Sequence, residues 1–198
     1  MPKPFAESCE QNKTPILEVL SEEFADRARV LEVGSGTGQH AVWFARHLSH
    51  LVWQTADLPD NHPGIHAWLT DGPDNLLPPI ALDTCSYDWH EMGRFDAVFS
   101  ANTVHIMAWP SVECLFAGVG RLLPVGGKFA LYGPFNYGNR YSSESNSRFD
   151  EWLKARDPDS GIRNFEALDG LANKAGLILK ADHEMPANNR TLVWVRTD

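Results

Sequence analysis

The residues Gly34-Ser35-Gly36-Thr37-Gly38 are the first in this chain whose types and spacing suit a ligand. Glycine has no Cβ, so a ligand can approach its backbone closely. Before the turn, Arg29 to Val33 reads RVLEV, a short β-rich run. After it, Gln39 to Leu48 carries Ala41, Phe44, Ala45 and Leu48 at helical spacing. The turn therefore joins a strand to a helix. The first turn of that helix presents free N–H groups and partial positive charge, which favours an anion. Many nucleotides use such a corner, and two residues narrow the choice. A dinucleotide fingerprint needs glycine or alanine where Gln39 stands. Glu32, just ahead of the glycines, would repel a pyrophosphate and suits a ligand bearing an ammonium group. Both disfavour a nicotinamide oxidoreductase.

Further polar residues follow later strand-like runs. Asp57 lies about twenty residues past the turn, the usual place for a carboxylate that accepts ribose hydroxyls; Asp60 is the fallback, and Leu58 adjoins. Asp83 with Thr84 ends the third run, and Asn102 with Thr103 follows the fourth. A lone aspartate after a strand is ordinarily a turn or cap residue. Polar residues at successive strand ends are harder to read that way. His105 and Tyr132 are the candidates for catalytic contacts. An imidazole titrates near neutrality and suits a general base, with a capping or packing histidine as the equal alternative. Trp109, Phe135, Asn146 and Asp150 join them as candidate substrate contacts. For Trp109, packing is the bland alternative. His40 either packs or faces the ligand rim. Asn12 and Lys13 precede the first expected helix and are placed to fold back over the ligand.

These residues need a frame. Thr14-Pro15 followed by ILEVLSEEF reads as a helix start, since proline suits the first helical position. Strands are expected at 51–55, 78–82, 95–100 and 128–132, and helices at 62–69, 111–123, 149–155 and 165–175. Strand and helix alternate, which predicts a parallel sheet covered on both faces. The last runs, 177–181 and 191–195, have no helix between them and predict an antiparallel edge hairpin. One domain is expected over 1–198, with 1–28 as a helical cap and 136–165 as a lid over the pocket.

Net charge is −9, and no Lys/Arg run appears. That disfavours nucleic acid and anionic membrane surfaces as partners and leaves a small-molecule substrate. Cys9, Cys85 and Cys114 lie far apart without metal spacing. A sparse, odd set suits a reducing compartment better than a disulfide framework. With a polar start and no long apolar run, a cytoplasmic protein binding no metal is expected.

The string LEVGSGTG resembles the first motif of class I S-adenosylmethionine-dependent methyltransferases. NKTPILEVL, SGTGQHAVWFA, NTVHIMAW, LYGPFNYG, SNSRFD and MPANN together resemble the domain-of-unknown-function family 938, the family of methyltransferase-like protein 26. The resemblance runs from about Asn12 to Val195. It implies a Rossmann-like, seven-stranded, mostly parallel sheet and S-adenosyl-L-methionine as cofactor. It places Glu32 near the methionyl amine, Asp83 on the adenine amino group with Thr84 and Cys85 lining the ring, and Asn102 beside the methionine part. Gly34, Ser35, Gly36, Gly38, Gln39, His40, Asn12, Lys13, Asp57, Leu58 and Thr103 complete the expected cofactor contacts. The implied reaction is methyl transfer to O, N or S of a small molecule; a catalytically silent cofactor-binding sensor is the alternative. Gln11, where arginine is frequent, and the stretch Ser142 to Glu144 depart from the family pattern.

Overall fold

The computed structural model describes residues 2–197. Helix α1 (Glu7–Glu23) comes first, then β1 (Arg29–Val33), α2 (Gln39–His47), β2 (Val52–Asp57), α3 (His62–Leu69) and β3 (Leu76–Ala81). Strand β4 (Ala97–Ala101), α4 (Trp109–Leu122) and β5 (Lys128–Gly133) follow. The remainder is β6 (Phe135–Asn136), α5 (Glu144–Arg156), β7 (Arg163–Asn164), α6 (Phe165–Lys174), β8 (Leu177–Met185) and β9 (Asn189–Arg196).

Seven strands form one sheet in the order β3-β2-β1-β4-β5-β9-β8. The first five are parallel, and β9 runs antiparallel to both β5 and β8. This is the expected Rossmann-like architecture with its edge hairpin. The chain winds outward from β1 through β2 to β3, then returns to place β4 on the other side of β1. That reversal opens a crevice at the carboxyl ends of β1 and β4. Pro78 and Pro79 sit in β3, an edge strand, where a missing N–H costs little.

Alternation along the strands divides the core in two. Leu31, Val33, Phe129, Leu131, Leu192 and Trp194 point to one face, packing with Leu115, Phe116, Val119 and Leu168 of α4 and α6. Val30, Ala130, Tyr132 and Val193 point to the other, against Ile16, Leu20 and Phe44 of α1 and α2. Burial on both faces explains why the central strands read as continuous apolar runs.

Three expectations need correction. The first helix begins at Glu7, and Pro15 lies inside it. Asn12 and Lys13 are therefore helical residues within α1. The start carries no side-chain cap; instead the Ala6 N–H donates to the buried Gln39 Oε1 at 2.5 Å. A tertiary contact takes the place of the local signal that Thr14-Pro15 imitates. Second, Cys85 and Cys114 form a disulfide, their Cα atoms 5.1 Å apart, leaving Cys9 free. The link joins the loop after β3 to α4, segments that become neighbours only once the sheet has formed. Third, β6 and β7 form a separate two-stranded sheet that the sequence did not suggest. Among the described residues no helix is long and apolar enough to cross a membrane.

Candidate active site

A cavity of about 480 Å³ lies over the carboxyl ends of β1 to β4. Its floor is the glycine turn. Gly34, Gly36 and Gly38 all have positive φ, at 76°, 55° and 88°. A Cβ on Gly34 would lie 2.7 Å from the Thr103 side chain, so the turn is packed against the β4 loop. A Cβ on Gly36 would meet nothing within 4 Å. It would project into space that a ligand can fill, so Gly36 forms a cradle.

Asp57 fixes this turn. Its Oδ2 accepts from the Gly36 N–H at 2.6 Å, and its Oδ1 from the Leu58 N–H and the Asn61 amide at 2.7 and 2.8 Å. A carboxylate offers about four lone-pair sites, so one remains for a ligand donor. Asp83 and Thr84 line the next part of the cavity. The Asp83 carboxylate takes the Cys85 N–H, and the Thr84 hydroxyl donates to the Ser111 carbonyl of α4. With the Cys85–Cys114 bond, these contacts hold the β3 loop against α4.

Glu32 lies beneath the turn, 2% exposed, and accepts from the Trp53 indole at 3.0 Å. Burial, with a smaller contribution from Asp57, raises its pKa to about 7 against the opposing bonds from Trp53 and Ser35. Its charge reaches the cavity wall: burial first and then Glu32 push the Cys9 thiol to about 11. Glu32, expected as a cofactor contact, lines neither cavity.

A second cavity of about 640 Å³ adjoins the first; both are lined by Ser8, Asn102 and Ile106. Asn102 sits in left-handed backbone, φ 57°, with its N–H donated to the Tyr132 carbonyl. His105, Tyr132 and Asn12 line the inner end of the second cavity, and α5 covers it with Asn146, Phe149 and Trp152. His105 is 5% exposed, and its Nδ1 has no hydrogen-bond partner. Burial, reinforced by Arg163, lowers its pKa to about 4, so it is neutral at physiological pH. The Tyr132 phenol is raised by burial and opposed by a hydrogen bond from Asn12. Asn12 also bonds the buried His40 Nε2 at 2.7 Å, and burial holds His40 at about 4. Asn12 thus couples residues facing both cavities.

The first cavity gathers Gly34, Ser35, Gly36, His40, Asp57, Leu58, Asp83, Thr84, Asn102 and Thr103. The second gathers Asn12, Asn102, His105, Tyr132 and Asn146. Other expected contacts lie elsewhere. Lys13 pairs with Glu10 and covers the Trp43 ring, lining neither cavity. Gln39 and Gly38 also stand outside the linings: Gln39 binds Ala6 and Glu10, while a Cβ on Gly38 would press on the backbone of Ile65. Trp109 donates to Glu113, and Phe135 is wholly inside the core. Asp150 is a clamp: its carboxylate accepts from Tyr141, Lys154 and the Ile162 N–H. Burial alone would raise its pKa, but these donors leave it lowered. Residues not anticipated include Ala6, Ser8 and Cys9 of the first cavity and Ile106 of both. Ile106 is 56% exposed, a poor position for an isoleucine unless it meets a ligand.

The parallel sheet, its reversal between β1 and β4 and its antiparallel hairpin define the methyltransferase type of Rossmann-like fold. Solved methyltransferases superpose closely. An O-methyltransferase family protein from Burkholderia thailandensis matches at TM-score 0.81 and 17% identity, over 94% of this chain and 56% of its own. The S-adenosylmethionine-dependent methyltransferase SibL matches at 0.81 and 17%, over 96% and 56%. Human N-acetylserotonin methyltransferase, solved in complex with S-adenosylmethionine, matches at 0.74 and 13%, over 94% and 55%. The chain thus spans little more than half the length of these proteins. Residues 3–196 match the family described as "Protein of unknown function (DUF938)", and the chain belongs to that family.

Proposed function

We propose that this protein is an S-adenosyl-L-methionine-dependent methyltransferase acting on a small molecule. The observation that carries the reading is the pair of adjoining cavities meeting at Asn102. The first suits the cofactor. Asp57 offers an acceptor to the ribose, Asp83 and Thr84 flank the expected adenine position, and Gly36 admits the close approach. Glu32 supplies the negative field for the amino group. The second suits the acceptor and is enclosed by segment 136–165, which we assign as its cover. The cofactor brings an electrophilic methyl group on a sulfonium. The protein's part is to align the acceptor and exclude water. His105, uncharged and lining the second cavity, is the group placed to accept a proton. A small-molecule acceptor attacking through O, N or S fits the enclosure, and no basic stripe for nucleic acid accompanies it.

Calorimetry with S-adenosylhomocysteine and with NAD tests the cofactor. Binding of the first alone is expected; binding of NAD alone would overturn the proposal. Asp57→Ala should weaken S-adenosylhomocysteine about a hundredfold, since it removes both a ribose acceptor and the anchor of the Gly36 N–H. Release of S-adenosylhomocysteine on addition of thiols, phenols or amines separates an enzyme from a silent cofactor sensor.

A further inference from the structure

The second cavity has a directional chemistry. At its inner end His105 is neutral. Its ring meets Phe149 edge-on, with centroids 5.4 Å apart, and Phe149 stacks on Trp152 at 5.8 Å with the planes 17° apart. The guanidinium of Arg156 lies 4.6 Å above the Trp152 indole, at the mouth. The series thus runs outward along α5, from a buried imidazole through two aromatic rings to a fixed positive charge.

The charge balance of this lining is unlike that of the whole chain. The protein carries −9. Among the described residues lining the second cavity there is no aspartate or glutamate, and Arg156 is the one lysine or arginine. Of the acids on α5, Glu144 is paired to Arg148 and Asp150 to Lys154, while Glu151 lies outside the lining. Arg156 itself makes no ion pair among the described residues, and its guanidinium rests on the Trp152 ring. Beside His105, the other polar groups are uncharged: five amides, among them Asn12, Asn102 and Asn146, two serine hydroxyls and the Tyr132 phenol.

We infer that the acceptor is a planar aromatic molecule with an acidic substituent. Its ring lies along Phe149 and Trp152, its nucleophile is directed inward to Asn102 and His105, and its carboxylate or comparable anion meets Arg156. An aromatic body gains stacking and apolar burial on these rings. An anion at the mouth gains a guanidinium already held over an aromatic face. An amine on the same scaffold would face that guanidinium with no carboxylate in the lining to receive it. This inference deepens the proposed function and rests on it for the identity of the second cavity as the acceptor site.

The test uses three matched phenols: para-hydroxyphenylacetate, its primary amide and tyramine. Binding is followed by tryptophan fluorescence quenching, with and without saturating S-adenosylhomocysteine. The acid should bind about tenfold more tightly than tyramine, with the amide between, and Arg156→Gln should bring the three within about twofold of one another. Equal or tighter binding of tyramine, binding by none of the three, or an acid preference unchanged in Arg156→Gln would overturn the inference. Failure of S-adenosylhomocysteine to bind would instead overturn the cofactor reading, while the order of the three phenols on the free protein would still decide the acceptor class.

Discussion

Replacing Glu32 by glutamine should make the folded protein more stable above neutrality and less able to hold its cofactor. Glu32 is wholly buried, and its pKa rises from a model-peptide value of 4.5 to about 7. A carboxyl whose pKa is raised on folding favours the native state while protonated. That contribution is present below the unfolded pKa and is lost as pH rises through the folded one. The difference amounts to about 3 kcal/mol across that interval. Glutamine keeps an acceptor for the Trp53 indole, which donates to Glu32 Oε2, and never ionises. Urea denaturation should therefore show Glu32→Gln more stable than the natural chain by up to about 3 kcal/mol near pH 8, with the gap closing toward pH 4. Cofactor binding should respond in the opposite sense, because the amino group of S-adenosylhomocysteine favours the ionised carboxylate. Affinity of the natural protein should fall about tenfold from pH 8 to pH 6, as the ionised fraction falls from about nine-tenths to about one-tenth. Glu32→Gln should bind weakly and without that dependence. A stability gap that stays constant between about pH 4 and pH 8 would refute the argument, since burial would then not be setting the proton affinity of Glu32.

Other outcomes follow from the same geometry. Gly36→Val should cost about 1–2 kcal/mol of stability for its left-handed backbone, yet abolish S-adenosylhomocysteine binding, because the added side chain enters the cradle; calorimetry beside thermal melts separates the two effects. His105→Ala should lower kcat by about a hundredfold or more with little change in cofactor affinity, and at saturating cofactor the natural protein should keep its kcat down to about pH 5. An acid limb near the ordinary imidazole value would show that burial does not hold His105 neutral. Cys85→Ser should lower stability by about 3–4 kcal/mol on the loop-closure account of the 29-residue separation, read as a melting shift also produced by reductant in the natural protein. An unchanged melting temperature in both would show that the link does not form in solution.

The sheet and its ligand corner were legible because they rest on local signals. Short β-rich runs, glycines that tolerate positive φ, and acids at strand ends all act within a few residues of themselves. The boundaries of α2 and α3 follow from the same logic. The features that escaped depend on distant parts. Nothing near Ala6 marks a helix start, because its anchor is Gln39, on another helix. Gln39 argues against a dinucleotide and is expected to touch the cofactor, but its task is to hold the N-terminal segment. Cys85 and Cys114 have no characteristic spacing, because the sheet brings them together. Asp150 and Asn146 share one helix and one motif. One is saturated by Tyr141, Lys154 and Ile162, while the other faces the cavity, and periodicity alone does not distinguish these fates. Trp109 and Phe135 have the right chemistry near the right strands, but one bonds Glu113 on its own helix and the other lies in the core.

Helix α1 borders both cavities, through Ser8 and Cys9 on one side and Ser8, Gln11 and Asn12 on the other. It is a single rigid rod, pinned at its start by Gln39 and along its length by Ile16 and Leu20 in the core. Because one rod walls both cavities, a ligand that shifts it in one reshapes the other. The two binding steps are then linked, and linkage is reciprocal: whatever factor the cofactor adds to acceptor affinity, the acceptor returns to the cofactor. Helix α1 is thereby the element through which two chemically unlike ligands would be linked.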